Sequence, residues 1–519
     1  MSVVDGGSHA AGRAGPATTS ALSRRAFLGA GAAVAAAGVL GPALLGRALA
    51  KGATSLGAGA VTVDPASMQA AALRALGRDT LRWPDSLPFP ALPAGTDTMP
   101  RIEHVVVLCL ENHSFDNVLG MLGRGDGFTL GSDGQPTATN PYPDGRIQHA
   151  FRMPTTCQLP ARPSQEWEAS HTAYDGGRLD GFVRAPIFGG STEMVGGVAM
   201  GYWTGADLPF TYSLASHFPI ADRWFCSVLG QTDPNRRYLI AGTSSGMTDD
   251  ISLTPGPGQV AQDLLLLAPA NGTIFDRLSS HGITWADYNA SFPTGTTAEL
   301  YPLNDAQVLL GSNNRPFAQF FSDAAAGTLP AFSFLDPDYG TQSQENPQNM
   351  VVGEAMLSQV VQAVGSGPGW KDTLLVLTYD EHGGYFDHVP PPVALAPDSI
   401  PPVVPPGEST YDGFWRYGFR VPGLIVSPYA KRGHVSRVLY DHTSVLALVE
   451  RKWNLPAMTW RDANANDLTD LIAMDALAAG RPVFRQLPQL APPGDTPGTR
   501  ACSTSGPGTV PPPGSISPG

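Results

Sequence analysis

The tripeptide Asp380-Glu381-His382, followed at once by Gly383-Gly384, sets two carboxylates and an imidazole side by side. Such a group can hold a metal ion or move protons. Buried, it is costly unless a cation or another partner neutralises it. A solvated turn, or the cap of a following helix, would use the same residues. A second oxygen-rich pair, Glu111-Asn112, stands far upstream.

Both pairs end an apolar run. Leu374–Thr378 leads to Asp380, and Val105–Leu110 leads to Glu111. Runs of this kind predict strands buried on both faces. In open α/β sheets, ligands sit beyond the carboxyl ends of such strands. The two strands are therefore expected to deliver Glu111, Asn112, Asp380 and Glu381 to one place, as oxygen ligands suited to a hard divalent cation. Further on, Gly230 breaks the apolar run Trp224–Leu229, and Thr232-Asp233-Pro234 follows. Proline favours the first helical position, with a Thr or Asp cap before it. Thr232 is thus expected at a helix N-terminus, where free N–H groups and the dipole favour a phosphate dianion. By local sequence its hydroxyl is either a cap or part of a site. A lone histidine such as His171 is more often structural than catalytic, and His442 reads equally as a cap, a core residue or a site residue.

ENHSFD (Glu111–Asp116), GQTDPNR (Gly230–Arg236), YDEHGGYFDHVPPP (Tyr379–Pro392) and YDHTS (Tyr440–Ser444) together resemble the bacterial phosphoesterase family of phosphatidylcholine-type phospholipases C and acid phosphatase A-type enzymes. The resemblance runs in order from about Arg101 to about Asp470. It implies a divalent cation of open identity held by Glu111, Asn112, Thr232, Asp380 and Glu381. It also implies Thr232 as a phosphoryl-accepting nucleophile, with His171 and Asn235 on the non-bridging oxygens. Two departures stand out. Gln165 replaces a family histidine before Glu166-Trp167, and Glu345-Asn346-Pro347 stands where the family carries Asp-His-Pro. The implied activity is a phospholipase C acting on glycerophospholipids to give diacylglycerol and a phospho-alcohol. A broad acid phosphatase is the alternative, and a non-catalytic surface-binding protein with a degenerate site is a third reading.

Alternating strands and helices predict a three-layer α/β sandwich. The family resemblance implies an alkaline-phosphatase-like fold with a loop-rich lid subdomain. Expected helices include Gln69–Leu76, Ile274–Ser279, a Val352–Val364 stretch with apolar residues four apart, and Val445–Lys452. With 59 Gly and 49 Pro and only 15% charged residues, long Pro-rich loops are expected. Residues 1–50 read as a signal peptide: Ser23-Arg24-Arg25-Ala26-Phe27-Leu28 is a twin-arginine signature, an Ala/Gly-rich apolar run follows, and Ala48-Leu49-Ala50 offers a cleavage site. The twin-arginine export machinery is then a partner and the destination is outside the cell or in its envelope. Residues 51–100 form a lead-in, 101–480 the catalytic domain, and 481–519 a poorly ordered Pro/Gly/Ser-rich tail.

The formal charge is −13, and loss of residues 1–50, with four Arg and one Asp, leaves about −16. That acidity disfavours nucleic acid and anionic lipid surfaces, while transient contact with zwitterionic lipid remains open. Of the four cysteines, Cys109 is expected as a buried thiol, and an oxidising destination permits a Cys157–Cys226 bridge.

Overall fold

The computed structural model describes residues 64–494, apart from 159–161, 186, 189–195, 251–268, 270, 291, 293–299, 302–311, 346–347 and 406. The signal-peptide residues, Asn346 and Cys502 lie outside the described residues. The two apolar runs are the central strands of an eight-stranded sheet. In chain order its strands are β1 (His104–Leu110), β2 (Ile220–Ala221), β3 (Trp285–Asn289), β4 (Asn314–Pro316), β5 (Phe332–Asp336), β6 (Thr373–Tyr379), β7 (Gly423–Val426) and β8 (Val435–Ser436). The spatial order is β4-β3-β5-β1-β6-β7-β2-β8. From β4 to β6 all neighbours are parallel; β7 is antiparallel to both β6 and β2. The sheet is therefore mixed.

Helices cover both faces, because successive strand residues point to opposite sides. Leu110, Leu377, Tyr379 and Leu424 share a wall with Thr211 and Leu214 of α1 (Pro209–His217) and Leu357 of a longer helix, Met350–Ser366. On the other side, Arg236 of α2 (Thr232–Ala241) reaches the carbonyl of Cys109. The β3 residues divide the same way. The Phe275 ring packs 4.7 Å from Trp285, and Phe320 packs 5.6 Å from Tyr288. Three layers result, as alternation in the sequence led one to expect.

The predicted helices form at Pro65–Ala75, Ile274–Ser280, Met350–Ser366 and Thr443–Trp453. Tyr142, Phe151, Met153, Phe182 and Val198 join the same apolar core as the sheet. Several expectations are corrected. The chain past 480 stays packed through 494: Phe484 stacks 4.7 Å from Phe218, and the Gly494 amide donates to Glu354 Oε2 at 2.9 Å. A buried aromatic and a buried carboxylate partner outweigh the Pro-rich composition there. Cys226 is a free buried thiol, so the Cys157–Cys226 bridge is not made; Cys157 is disulfide-bonded otherwise, and Cys109 is a buried free thiol as expected.

Candidate active site

Strand register builds the site. Leu110 and Tyr379 are partners at the ends of β1 and β6, so the next residues, Glu111 and Asp380, emerge side by side. The Asp380 amide donates to the Leu110 carbonyl at 3.0 Å, and the Asn112 amide donates to Asp380 Oδ1 at 2.9 Å. Asn112 sits at φ +63°, a left-handed conformation that Asn tolerates better than most residues and that clusters at functional sites. Gly383 lies against it. A Cβ on Gly383 would stand 1.9 Å from the Asn112 carbonyl oxygen, so only glycine lets the two loops approach.

The Asn112 carboxamide is the centre of the cluster. Its oxygen lies 3.0 Å from Glu111 Oε2, 3.2 and 3.3 Å from the two Asp380 oxygens, and 2.8 Å from Glu381 Oε1. The Thr232 hydroxyl donates to it at 3.3 Å. With no cation among them, the three carboxylates are satisfied when the amide is turned over and its nitrogen donates to all three; a cation would turn the oxygen inward. With the oxygen inward, five residues converge oxygens on one small volume, which is the arrangement a hard cation requires. The donor set thus fits a divalent ion.

Thr232 is not a cap. It is the first residue of α2, Gln231 is the capping residue, and the Thr232 side chain turns to Asn112 instead. The helix N-terminus is also not an open phosphate cradle, because the Asp233 amide donates to Asp250 Oδ1 at 2.8 Å. Asn235 does not offer its amide to a substrate either. Its Oδ1 accepts from the amides of Ser227 and Val228, and its Nδ2 donates to the carbonyls of Gly230 and Gln231 at 3.0 Å. It ties the turn that presents Thr232.

Two participants were missed from the sequence. Arg236 lies one helical turn from Thr232, on the same face. It is fully buried and pairs with Glu111, with Asp336 at 3.4 Å and with Asp380 at 3.4 Å. Asp336 ends β5, the other parallel neighbour of β1. The signals were there: an i, i+4 basic residue inside GQTDPNR, and a carboxylate closing a third apolar strand.

Charge is out of balance in this cluster. Glu111, Asp336, Asp380 and Glu381 are at most 3% exposed, and Arg236 is the cation among them. Burial pushes the Glu111 carboxyl well above its usual range; Arg236 pulls it back and Asp380 pushes it up further. Burial and the charge of Asp380 raise Glu381 likewise. For Arg236, burial alone would lower the pKa, but Glu111 and its other neighbours outweigh that and hold it well above the usual value. Carboxyls that favour protonation when alone are the ones a cation would keep ionised.

The histidines fall elsewhere. His171 donates from Nδ1 to the Trp167 carbonyl at 2.8 Å and stacks on Tyr411 at 3.9 Å; burial lowers its pKa to about 3. Neither contact touches the carboxylate cluster. His442 donates from Nε2 to the Asp380 carbonyl at 2.6 Å and so steadies the strand end. His382 lies 3.1 Å from Glu381 Oε2 between Phe182 and Phe419, and burial lowers its pKa to about 3.

A second polar cluster lies in the same two loops. Asp116, Asp387 and His388 offer ligand atoms within 4.8 Å of one another. Arg420 already fills it, with its guanidinium 3.1 Å from Asp116 and 2.8 Å from Asp387. His388 donates to Asp116 at 2.7 Å.

Known proteins share this chain's sequence pattern. The model of the Phosphoesterase family matches residues 102–456. Phospholipase C A of Mycobacterium tuberculosis is 31% identical over 406 residues, 71% of this chain and 76% of the relative. Non-specific phospholipase C6 of Arabidopsis thaliana is 32% identical over 399 residues, 72% of each chain. Non-hemolytic phospholipase C of Burkholderia pseudomallei is 29% identical over 466 residues, 78% of this chain and 64% of the relative. A solved structure in the alkaline phosphatase superfamily, from Vibrio parahaemolyticus, covers 79% of both chains at 11% identity with a TM-score of 0.35.

Proposed function

The chain belongs to the phosphoesterase family, and from that premise we propose that it is an exported phospholipase C that works through Thr232. The observation that carries the reading is the convergence of Glu111, Asp380, Glu381 and Thr232 on the Asn112 carboxamide. A divalent cation held by these five residues would supply Lewis-acid charge at the hydroxyl and the phosphate. Arg236 balances part of the carboxylate charge and keeps Glu111 and Asp380 together. Asn235 holds the turn that points the Thr232 hydroxyl into the cluster. Thr232 Oγ1 forms a bond to phosphorus as the bond to the diacylglycerol oxygen breaks, and the hydroxyl proton ends on that alcohol. Water then cleaves the phosphothreonine ester, restores the hydroxyl and releases the phospho-alcohol.

Thr232→Ala is expected to lower kcat by several orders of magnitude while circular dichroism shows it folded, and Thr232→Ser to keep activity. A cap deletion would cost only about 0.5–2 kcal/mol of stability and spare turnover. Diacylglycerol release from phosphatidylcholine vesicles is the readout. Phosphate release from p-nitrophenyl phosphate with the lipid left intact would instead identify a phosphomonoesterase. Export is read from Arg24-Arg25 and Ala48-Leu49-Ala50. Lys-Lys at 24–25 is expected to leave the precursor in the cytoplasm, and fractionation that finds it outside would refute that route.

A further inference from the structure

Above the buried carboxylates lies one ion pair that solvent reaches. Arg162 Nη1 stands 2.8 Å from Glu345 Oε1, and the two side chains are 28% and 25% exposed. Glu111 and Asp380 beneath are 3% and 0% exposed. The backbone places the pair at the site. Arg162 precedes Pro163 and Ser164, which pack so closely on Gly384 that a Cβ there would meet Pro163 at 2.5 Å. Gly384 is three residues from Glu381. Glu345 follows Gln344, whose carbonyl accepts from His113 Nε2 at 2.9 Å, and His113 is next to Asn112. The pair therefore bridges the loops beside both metal-candidate dipeptides.

We propose that Arg162 is a substrate-binding residue that receives the phosphate oxygens at the mouth of the site, and that Glu345 is the internal anion it exchanges for them. This rests on the phosphoesterase reading above and adds to it a named phosphate receptor. A guanidinium presents a planar fork that matches two phosphate oxygens, and such charge-assisted pairs are the strong ones. The exchange swaps one anion for another, so Arg162 is never left facing the acidic cluster without a counter-charge. Glu345 sets the threshold: a ligand must compete with its carboxylate, which disfavours neutral alcohols and weakly charged esters. The Asn235 amide is taken up at both ends by backbone groups, and the fork supplies the oxygen contact expected of it.

Binding of inorganic phosphate to the full chain, measured by titration calorimetry and as inhibition, tests this directly. Arg162→Ala is expected to weaken phosphate about tenfold or more, as loss of a hydrogen bond to a charged group does. Arg162→Lys keeps a charge without the fork and is expected to fall between. Glu345→Gln, nearly identical in shape, is expected to tighten phosphate several-fold. Phosphate affinity within twofold of wild type in Arg162→Ala, or weaker binding in Glu345→Gln, overturns the proposal. Repeating the titrations in Thr232→Ala separates the two readings. There, Arg162 effects persist whether or not Thr232 is the nucleophile, so a failed nucleophile and a failed receptor give different patterns. Melting curves confirm that each variant compared is folded.

Discussion

Two carboxylate clusters sit in the same pair of loops, a few residues apart, and they differ in charge balance. In the first, Glu111, Asp336 and Asp380 meet the Arg236 guanidinium, and Glu381 adds a fourth buried carboxyl beside Asp380. In the second, Asp116 and Asp387 meet Arg420 and His388. The carboxylates are equally buried, with Asp116, Asp387 and Arg420 all 0% exposed, while His388 is 29% exposed. The His388 pKa is pushed up to about 9; burial alone would lower it, but the hydrogen bond and charge of Asp116 win. With His388 charged, the two buried anions face two cations, and the half-exposed Asp126 lies 3.4 Å from His388 Nε2 at the rim. The cluster clamps the loop after β1, the loop after β6 and the approach to β7. The first cluster gathers more carboxyls than cations next to a hydroxyl, and burial drives Glu111 and Glu381 toward protonation unless a cation joins them. Proximity of ligand atoms alone would point to the second cluster as the metal site. The proposed function takes the first instead, for its surplus of carboxyls over cations.

The comparison breaks most sharply with matched carboxylate changes. Asp380→Asn is expected to lower turnover by several orders of magnitude, yet to hold or raise the melting temperature of the cation-free protein, because it relieves repulsion. A divalent cation at one hundred times its dissociation constant should add about 2.7 kcal/mol to wild-type stability and little to that variant. Asp387→Asn should do the reverse, lowering stability while turnover per folded molecule stays within a few-fold. Melts with and without cation, beside a lipid assay, decide it.

Next in size is Arg420→Met. It leaves Asp116 and Asp387 buried against each other with His388 alone, and should cost about 3–5 kcal/mol. Denaturant unfolding measures this, and a loss below 1 kcal/mol would show that the second cluster is not a clamp.

The smallest effect is in pH. The folded pKa of His388, about 9, lies above its unfolded value of about 6.5. Its stabilisation is therefore fully present below pH 6.5 and is lost as pH rises through 9, by roughly 3 kcal/mol at most. His388→Gln should flatten the stability profile across that window, and an unchanged slope would remove His388 from the clamp.

How much of this was legible in the chain follows from range. An apolar run that stops at a carboxylate is local, so β1, β6 and the residues Glu111, Asn112, Asp380 and Glu381 could be read directly. The α2 start and Thr232 were legible for the same reason. The role of Asn235 was not, because an amide that can serve a substrate serves a backbone turn equally well. Nor was that of His171: a histidine's partners depend on what packs against it, here Trp167 and Tyr411.

The amino-acid sequence by itself determined which strands are buried and which polar residues end them, since burial on both faces demands unbroken apolar runs. Only the tertiary structure decided which ends meet. The Leu110–Tyr379 register brings Glu111 beside Asp380, the turn of α2 brings Arg236 between them, and Arg420 reaches Asp116 across 304 positions. Charge balance is a sum over neighbours in space. Whether a carboxylate is a clamp or a candidate ligand is therefore set by cations that lie hundreds of residues away along the chain.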